Sequence, residues 1–236
     1  MDDSSSAPEL VFGLVGPLGT DLKAVAAVLR DALVAVRYES EVHRLSHLMR
    51  ELQGEPWDTL KDGYEDETLD AHMKAGNRLR QTLGRHDAMA MLGLMSIQEL
   101  RQRKTGESTR PLGRFAHILH SLKRPEEVKT LRGIYGPALV VLAVYSPRPK
   151  RLDDLARRIA GSRHSNQFGD HRSTVRSIKF DVGPTQRWST VTNSTEVEMK
   201  DEDEVPVRTV DDIVYIFIHT GTISYSEYQF APVSLR

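Results

Sequence analysis

Three stretches of the chain are apolar without a break: LVFGLV at 10–15, ALVVLAVY at 138–145 and IVYIFI at 213–218. A strand with one wet face alternates apolar and polar residues, whereas a strand covered on both faces reads as a continuous apolar run. The three runs therefore predict interior strands of a parallel sheet. ESEVHRL at 39–45 and GRFAHILHSL at 113–122 mix in more polar residues and predict strands nearer an edge or a ligand. Between the runs the spacing becomes helical. Leu22, Val25, Leu29, Leu33 and Val36 share one face of a predicted helix over 21–36, while Lys23, Arg30 and Asp31 face outward. Residues 68–84 and 87–104 predict two long helices broken near Gly84. RPEEVKTLRGIYG at 124–136 has an early proline, then two glutamates, and a glycine beyond its apolar face, the signature of a capped helix matched to its dipole. Strand and helix alternate, which predicts an α/β fold with a doubly wound, mainly parallel sheet flanked by helices.

The pattern weakens at both ends. Residues 1–8, rich in serine and aspartate, predict a disordered lead-in, and 9–160 form the predicted core. Residues 161–236 predict an irregular or lid-like segment, with an acidic solvated loop at 196–204 and the closing strand or strands of the same domain.

Composition narrows the chemistry. Across 236 residues, 32 basic side chains face 33 acidic ones, so no global field draws the chain to nucleic acid or anionic lipid. Any anion site must be a local cluster. Cysteine is absent, which excludes disulfides, thiolate zinc sites and cysteine nucleophiles. No apolar run reaches the roughly eighteen residues that span a bilayer, and the polar start does not read as a secretion signal. The expected location is the cytoplasm, with neither nucleic acid nor membrane as partner.

GLVGPLGTDLK, at 13–23, follows the first strand and leads into the first helix. Glycines let backbone N–H groups converge on an oxyanion, and the helix behind them presents its positive end. Gly13, Gly16, Gly19 and Thr20 are thus candidate phosphate ligands. The standard loop is G-x-x-x-x-G-K-[ST]. Counted from Gly16, its last glycine falls on Asp21, its lysine on Leu22 and its hydroxyl residue on Lys23. Asp21 is read as a helix cap that competes with phosphate, or as a carboxylate toward magnesium. Three readings stay open: a packing turn, a relaxed phosphate site and a competent kinase loop.

GLVGPLGTDL, RLSHLM, HMKAGNRLRQTLGRHDAMAMLGLMSIQELR, ILHSLKRPEEVKTLRGIYG and VVLAVYSPRPKRLDDLA together resemble the N-terminal P-loop, kinase-like domain of bacterial anti-phage dCTP deaminases. The motifs stand in the same order over residues 9–160. The resemblance implies a P-loop kinase-like fold and a role in sensing or binding a nucleotide, a dNMP, dNTP or ATP, during phage defence. It also implies a zinc deaminase domain, and there this chain departs. Such a site needs cysteine ligands and an H-x-E, P-C-x-x-C arrangement that the sequence lacks. No zinc is expected, and a deaminase enters only as a separate partner. The segment SLKRPEEVKTLRGIYG also resembles an element of nucleotide and dephospho-CoA kinases that follows an acid-bearing strand, and His120 stands in the place of that acid.

Lys123 and Arg124 follow one predicted strand, and Arg148, Lys150 and Arg151 follow another, at the exits where open α/β sheets hold ligands. Lys123, Arg124, Arg148 and Arg151 are candidate flanking cations, with a solubilising rim as the alternative. Arg78 and Arg80 are candidates for a base or phosphate, or for exposed helix pairs. The histidines are read as isolated residues rather than a zinc site. The leading expectation is a nucleotide-binding kinase-like protein. An active nucleoside-monophosphate kinase with a non-standard loop, and a non-catalytic interaction module for a separate deaminase, are the alternatives, and the partner expected is a deaminase or a second copy of the chain.

Overall fold

The computed structural model describes residues 7–60, 62–164, 171, 174 and 175, together with the backbone of 213–217. The elements in chain order are β1 (Leu10–Val15), α1 (Leu22–Ala35), β2 (Glu39–Arg44), α2 (Leu45–Leu48), α3 (Glu65–Leu83), α4 (Ala88–Thr105), β3 (Phe115–Leu122), α5 (Pro125–Tyr135), β4 (Leu139–Tyr145), α6 (Arg148–Ser162) and β5 (Ile213–Phe217). The strands form one sheet in the order β2-β3-β1-β4-β5, and every neighbouring pair is parallel. This is a doubly wound, parallel α/β sheet, with β1 at the centre and the glycine turn at its carboxyl end.

Continuous apolarity in β1 has the expected cause. Val11 and Val15 enter a core with Leu79 of α3, Leu92 of α4 and Leu131 of α5. Leu14, from the opposite pleat, packs with Leu22, Val25 and Leu33 of α1. Both faces are therefore dry, as periodicity along a covered parallel strand requires. Gly13 belongs to the first face, where a Cβ would lie 2.6 Å from Leu122 Cδ1. It makes room for packing.

Several elements depart from expectation. GRFAHILHSL forms β3, which lies inside the sheet between β2 and β1 rather than near an edge. Its polar residues misled because they are satisfied internally. IVYIFI, expected inside, supplies β5, which among the described residues pairs with β4 alone at the end of the order. Helix α3 begins at Glu65, earlier than the apolar spacing indicates, because Glu65, Asp66 and Glu67 favour a helix start electrostatically without adding to the stripe. Within the predicted lead-in, Ala7 O accepts the Arg114 N–H at 3.2 Å. Residues 1–6, most of 165–177, the acidic run at 196–204 and the closing segment after 217 lie outside the described residues.

A buried polar chain ties β3 to its surroundings. Glu9 Oε1 is 2.9 Å from His117 Nε2, His117 Nδ1 is 3.0 Å from His43 Nε2, and His43 Nδ1 is 2.8 Å from Ser96 Oγ. One proton per ring satisfies every link: His117 donates to Glu9, His43 to His117, and Ser96 to His43. Arg101 pairs with Glu9 as well, and the Leu112 N–H donates to it at 3.1 Å. Burial pushes the Glu9 carboxyl up, but the His117 and Arg101 hydrogen bonds outweigh it and hold the group at about 2. Burial, then the neighbouring His117 and Arg103, lower His43 to about 3. The chain holds β1, β2, β3 and α4 together.

Candidate functional site

The site is built where β1 ends. A turn over 17–20 closes with the Thr20 N–H donating to Pro17 O at 3.1 Å, and Leu22 N–H donates to Thr20 O at 2.9 Å. Gly19 has φ +86°, and a Cβ there would meet the carbonyl oxygen of Arg151 at 2.8 Å. Only glycine suits both demands. Asp21 caps α1 as its position suggests, accepting the Ala24 N–H at 3.0 Å. Three turn amides are thus engaged, whereas those of Leu18, Gly19 and Asp21 donate to no acceptor among the described residues. Thr20 Oγ1 is buried and has no partner among the described residues. Buried hydroxyls are normally satisfied, so this one marks a place where a water or ligand belongs.

The predicted cations divide sharply. Lys123, just beyond β3, crosses to β1 and donates to Gly16 O at 3.0 Å. Burial pushes its ammonium down to about 8, against the opposing charge of Glu127 and with Arg80 adding to the effect. Glu127 positions this corner. It is fully buried, its Oε2 accepts the N–H groups of Lys123 at 2.6 Å and Arg124 at 3.1 Å, and its Oε1 accepts from Arg80 Nη2 at 3.1 Å. A glutamate at this position of the first turn reaches back to bind free N–H groups, so the early glutamates of α5 are a capping device. Arg124 is the residue before α5, and its backbone N–H is spent on that cap.

Arg151 serves the turn from α6. Its Nη1 donates to Leu18 O at 3.0 Å and its Nε to Ser146 O at 2.9 Å. Leu18 itself packs with Leu155, Ala156 and Ile159 of α6 and with Leu69 of α3. Arg148 is exposed at the start of α6, and Lys150 pairs with Asp154 at 2.8 Å. Arg78 is exposed, while Arg80 is the partner of Glu127. Gly16, Gly19, Thr20, Asp21, Lys123 and Arg151 therefore meet in one corner, with Gly13 one turn of pleat below in the core.

Sequence reading overlooked a second group at the same end of the sheet. Arg44, the last residue of β2, pairs in register with His120 of β3. His47, on α2, stacks on His72 of α3 with ring centroids 6.1 Å apart and planes 24° apart. His72 Nδ1 donates to Thr68 O at 2.7 Å, which leaves its buried Nε2 without a partner among the described residues. Burial, then Arg50, Arg44 and His72, lower the His47 imidazolium against the opposing pull of Asp62. His43 and His47 do stand four apart, but one lies in a strand and the other in a short helix, so the spacing builds no shared face. Among the described residues no three His, Asp or Glu side chains gather as a metal site. No helix among them is long and apolar enough to cross a membrane.

No family model matches the chain, and no curated protein does. A crystal structure of a gluconokinase from Sinorhizobium meliloti 1021 is similar at 12% identity and a TM-score of 0.35, over 90% of this chain and 84% of that one. The overlay is loose, and the fold class rests on the strand order and the placement of the turn.

Proposed function

We propose that this chain binds the phosphate groups of a nucleotide at the β1–α1 turn, with Lys123 supplying from β3 the ammonium that the turn itself lacks. The observation that carries the proposal is the 3.0 Å contact between Lys123 Nζ and Gly16 O. A phosphate oxygen competes well for that ammonium, because a charged acceptor makes a stronger hydrogen bond than a carbonyl. The amides of Leu18, Gly19 and Asp21, the hydroxyl of Thr20 and the positive end of α1 supply further donors. Arg124 and Arg148 are the outer cations, and Arg151 keeps the turn in shape. Magnesium fits as an ion arriving on the phosphates, since it keeps several waters and needs only one or two carboxylates. Asp21 and Thr20 would be the residues to hold it, and it would offset phosphate charge.

The motif resemblance extends the proposal to a deoxynucleotide ligand and a sensing role in phage defence, with any deaminase chemistry on a separate chain. Phosphoryl transfer is the weaker reading, because His120 stands where the related kinases carry an acid. A pure interaction module is favoured by one observation: Asp21 already satisfies the Ala24 N–H that a phosphate could take. Amide NMR separates the readings. Titration with deoxynucleoside mono- and triphosphates is expected to move the Leu18, Gly19 and Asp21 signals. Unmoved signals at millimolar ligand favour the interaction role.

A further inference from the structure

We infer that the stacked His47–His72 pair, together with Arg44, forms a second anion locus beside the carboxyl ends of β2 and β3, one that takes a phosphomonoester dianion. The inference rests on the proposed nucleotide site only in placing a second phosphate-bearing group, or the far end of the same ligand, beside the first. Its geometry is independent. The two rings lie 6.1 Å apart on α2 and α3, close to the carboxyl ends of β2 and β3. His72 is oriented by its Nδ1 contact to Thr68 O at 2.7 Å, and its buried Nε2 has no partner among the described residues. A dianion supplies the acceptor that a protonated Nε2 requires.

The charges around the pair point the same way. Arg44 and Arg50 act on His47, and Arg44 and Lys123 act on His120, which pairs with Arg44 in register. Among the described residues the acid acting on His47 is Asp62, and it is held by Arg50 at 2.6 Å. Without an anion this cationic setting disfavours a proton on His47. A bound dianion reverses that balance, so proton and anion bind together.

The test follows the histidine ring and turn amide signals of the full chain during titration with inorganic phosphate. The expected result is movement of the His47 and His72 signals, with the titration midpoint of at least one ring rising by about one pH unit. The shift should vanish in His72→Gln, and in the exposed-site variant His47→Gln should packing around His72 fail. In Lys123→Met the ring response persists while the turn amides lose theirs. Static rings beside moving turn amides overturn this inference alone. Static turn amides beside moving rings overturn the nucleotide proposal alone. A mononucleotide that moves both sets at one equivalent indicates a single bridging ligand, whereas two equivalents indicate separate groups; either result supports the second locus.

Discussion

Two sets of polar side chains sit close to β3, and they differ in one respect. Under the sheet, the Glu9–His117–His43–Ser96 chain has each link closed within 2.8–3.0 Å. At the carboxyl ends of the strands, Thr20 Oγ1, His72 Nε2 and Arg80 Nε are buried without partners among the described residues, and Lys123 spends a charged donor on a neutral carbonyl. The residue types overlap, so type does not separate structure from function. Satisfaction does: the closed network holds strands together, while the open donors are the ones the proposed anions would take.

Breaking the closed network gives the largest expected effect. Glu9→Ala leaves Arg101 and His117 buried without their acceptor, and loss of one member of a buried pair costs about 3–5 kcal/mol. Chemical denaturation should show that loss as a lower midpoint. An effect below about 1 kcal/mol, the range of exposed pairs, would show the chain to be dispensable.

Acid attacks the same network. His43 has a folded value near 3 against an ordinary 6.5, so below 6.5 the unfolded chain binds its proton first. Its contribution is complete above 6.5 and is lost as the pH falls toward 3. Glu9, near 2 against an ordinary 4.5, adds a further loss as the pH falls from 4.5 toward 2. While one such group titrates, stability falls by about 1.4 kcal/mol per pH unit. Denaturation midpoints between pH 7 and 4 measure the slope, and His43→Gln should flatten its upper part.

Next in size is the turn. Gly19→Ala forces a side chain into the left-handed region at about 1–2 kcal/mol and drives its Cβ against the Arg151 carbonyl. Stability and phosphate binding should fall together. Arg148→Ala is the smallest: this exposed cation should leave the melting temperature unchanged and weaken nucleotide binding two- to threefold, about 0.4–0.7 kcal/mol. A loss beyond tenfold would move Arg148 from the rim into the site.

Much of the fold was legible because burial on both faces writes itself as continuous apolarity, as in β1 and β4. β3 was misplaced for the opposite reason. His117 is fully buried, but the partners that make this tolerable lie at residues 9 and 43, beyond any local window. The glycine turn and the capping role of Asp21 were readable because they depend on neighbours in sequence. Lys123 was named as a cation, yet its reach to Gly16 is a contact 107 residues long that strand order alone determines. The His47–His72 stack was missed for the same reason.

The central claim concerns that relocated ammonium, and calorimetric titration of deoxynucleotide into wild type and Lys123→Met tests it most directly. The Lys123 value near 8 lies below its ordinary 10.5, so the folded state binds this proton less readily than the unfolded chain, and removing the charge should not destabilise the fold. Submillimolar binding by the wild type that weakens above pH 8, with at least tenfold loss in a fully folded Lys123→Met, is the predicted result. Equal affinity in the two proteins would contradict the account.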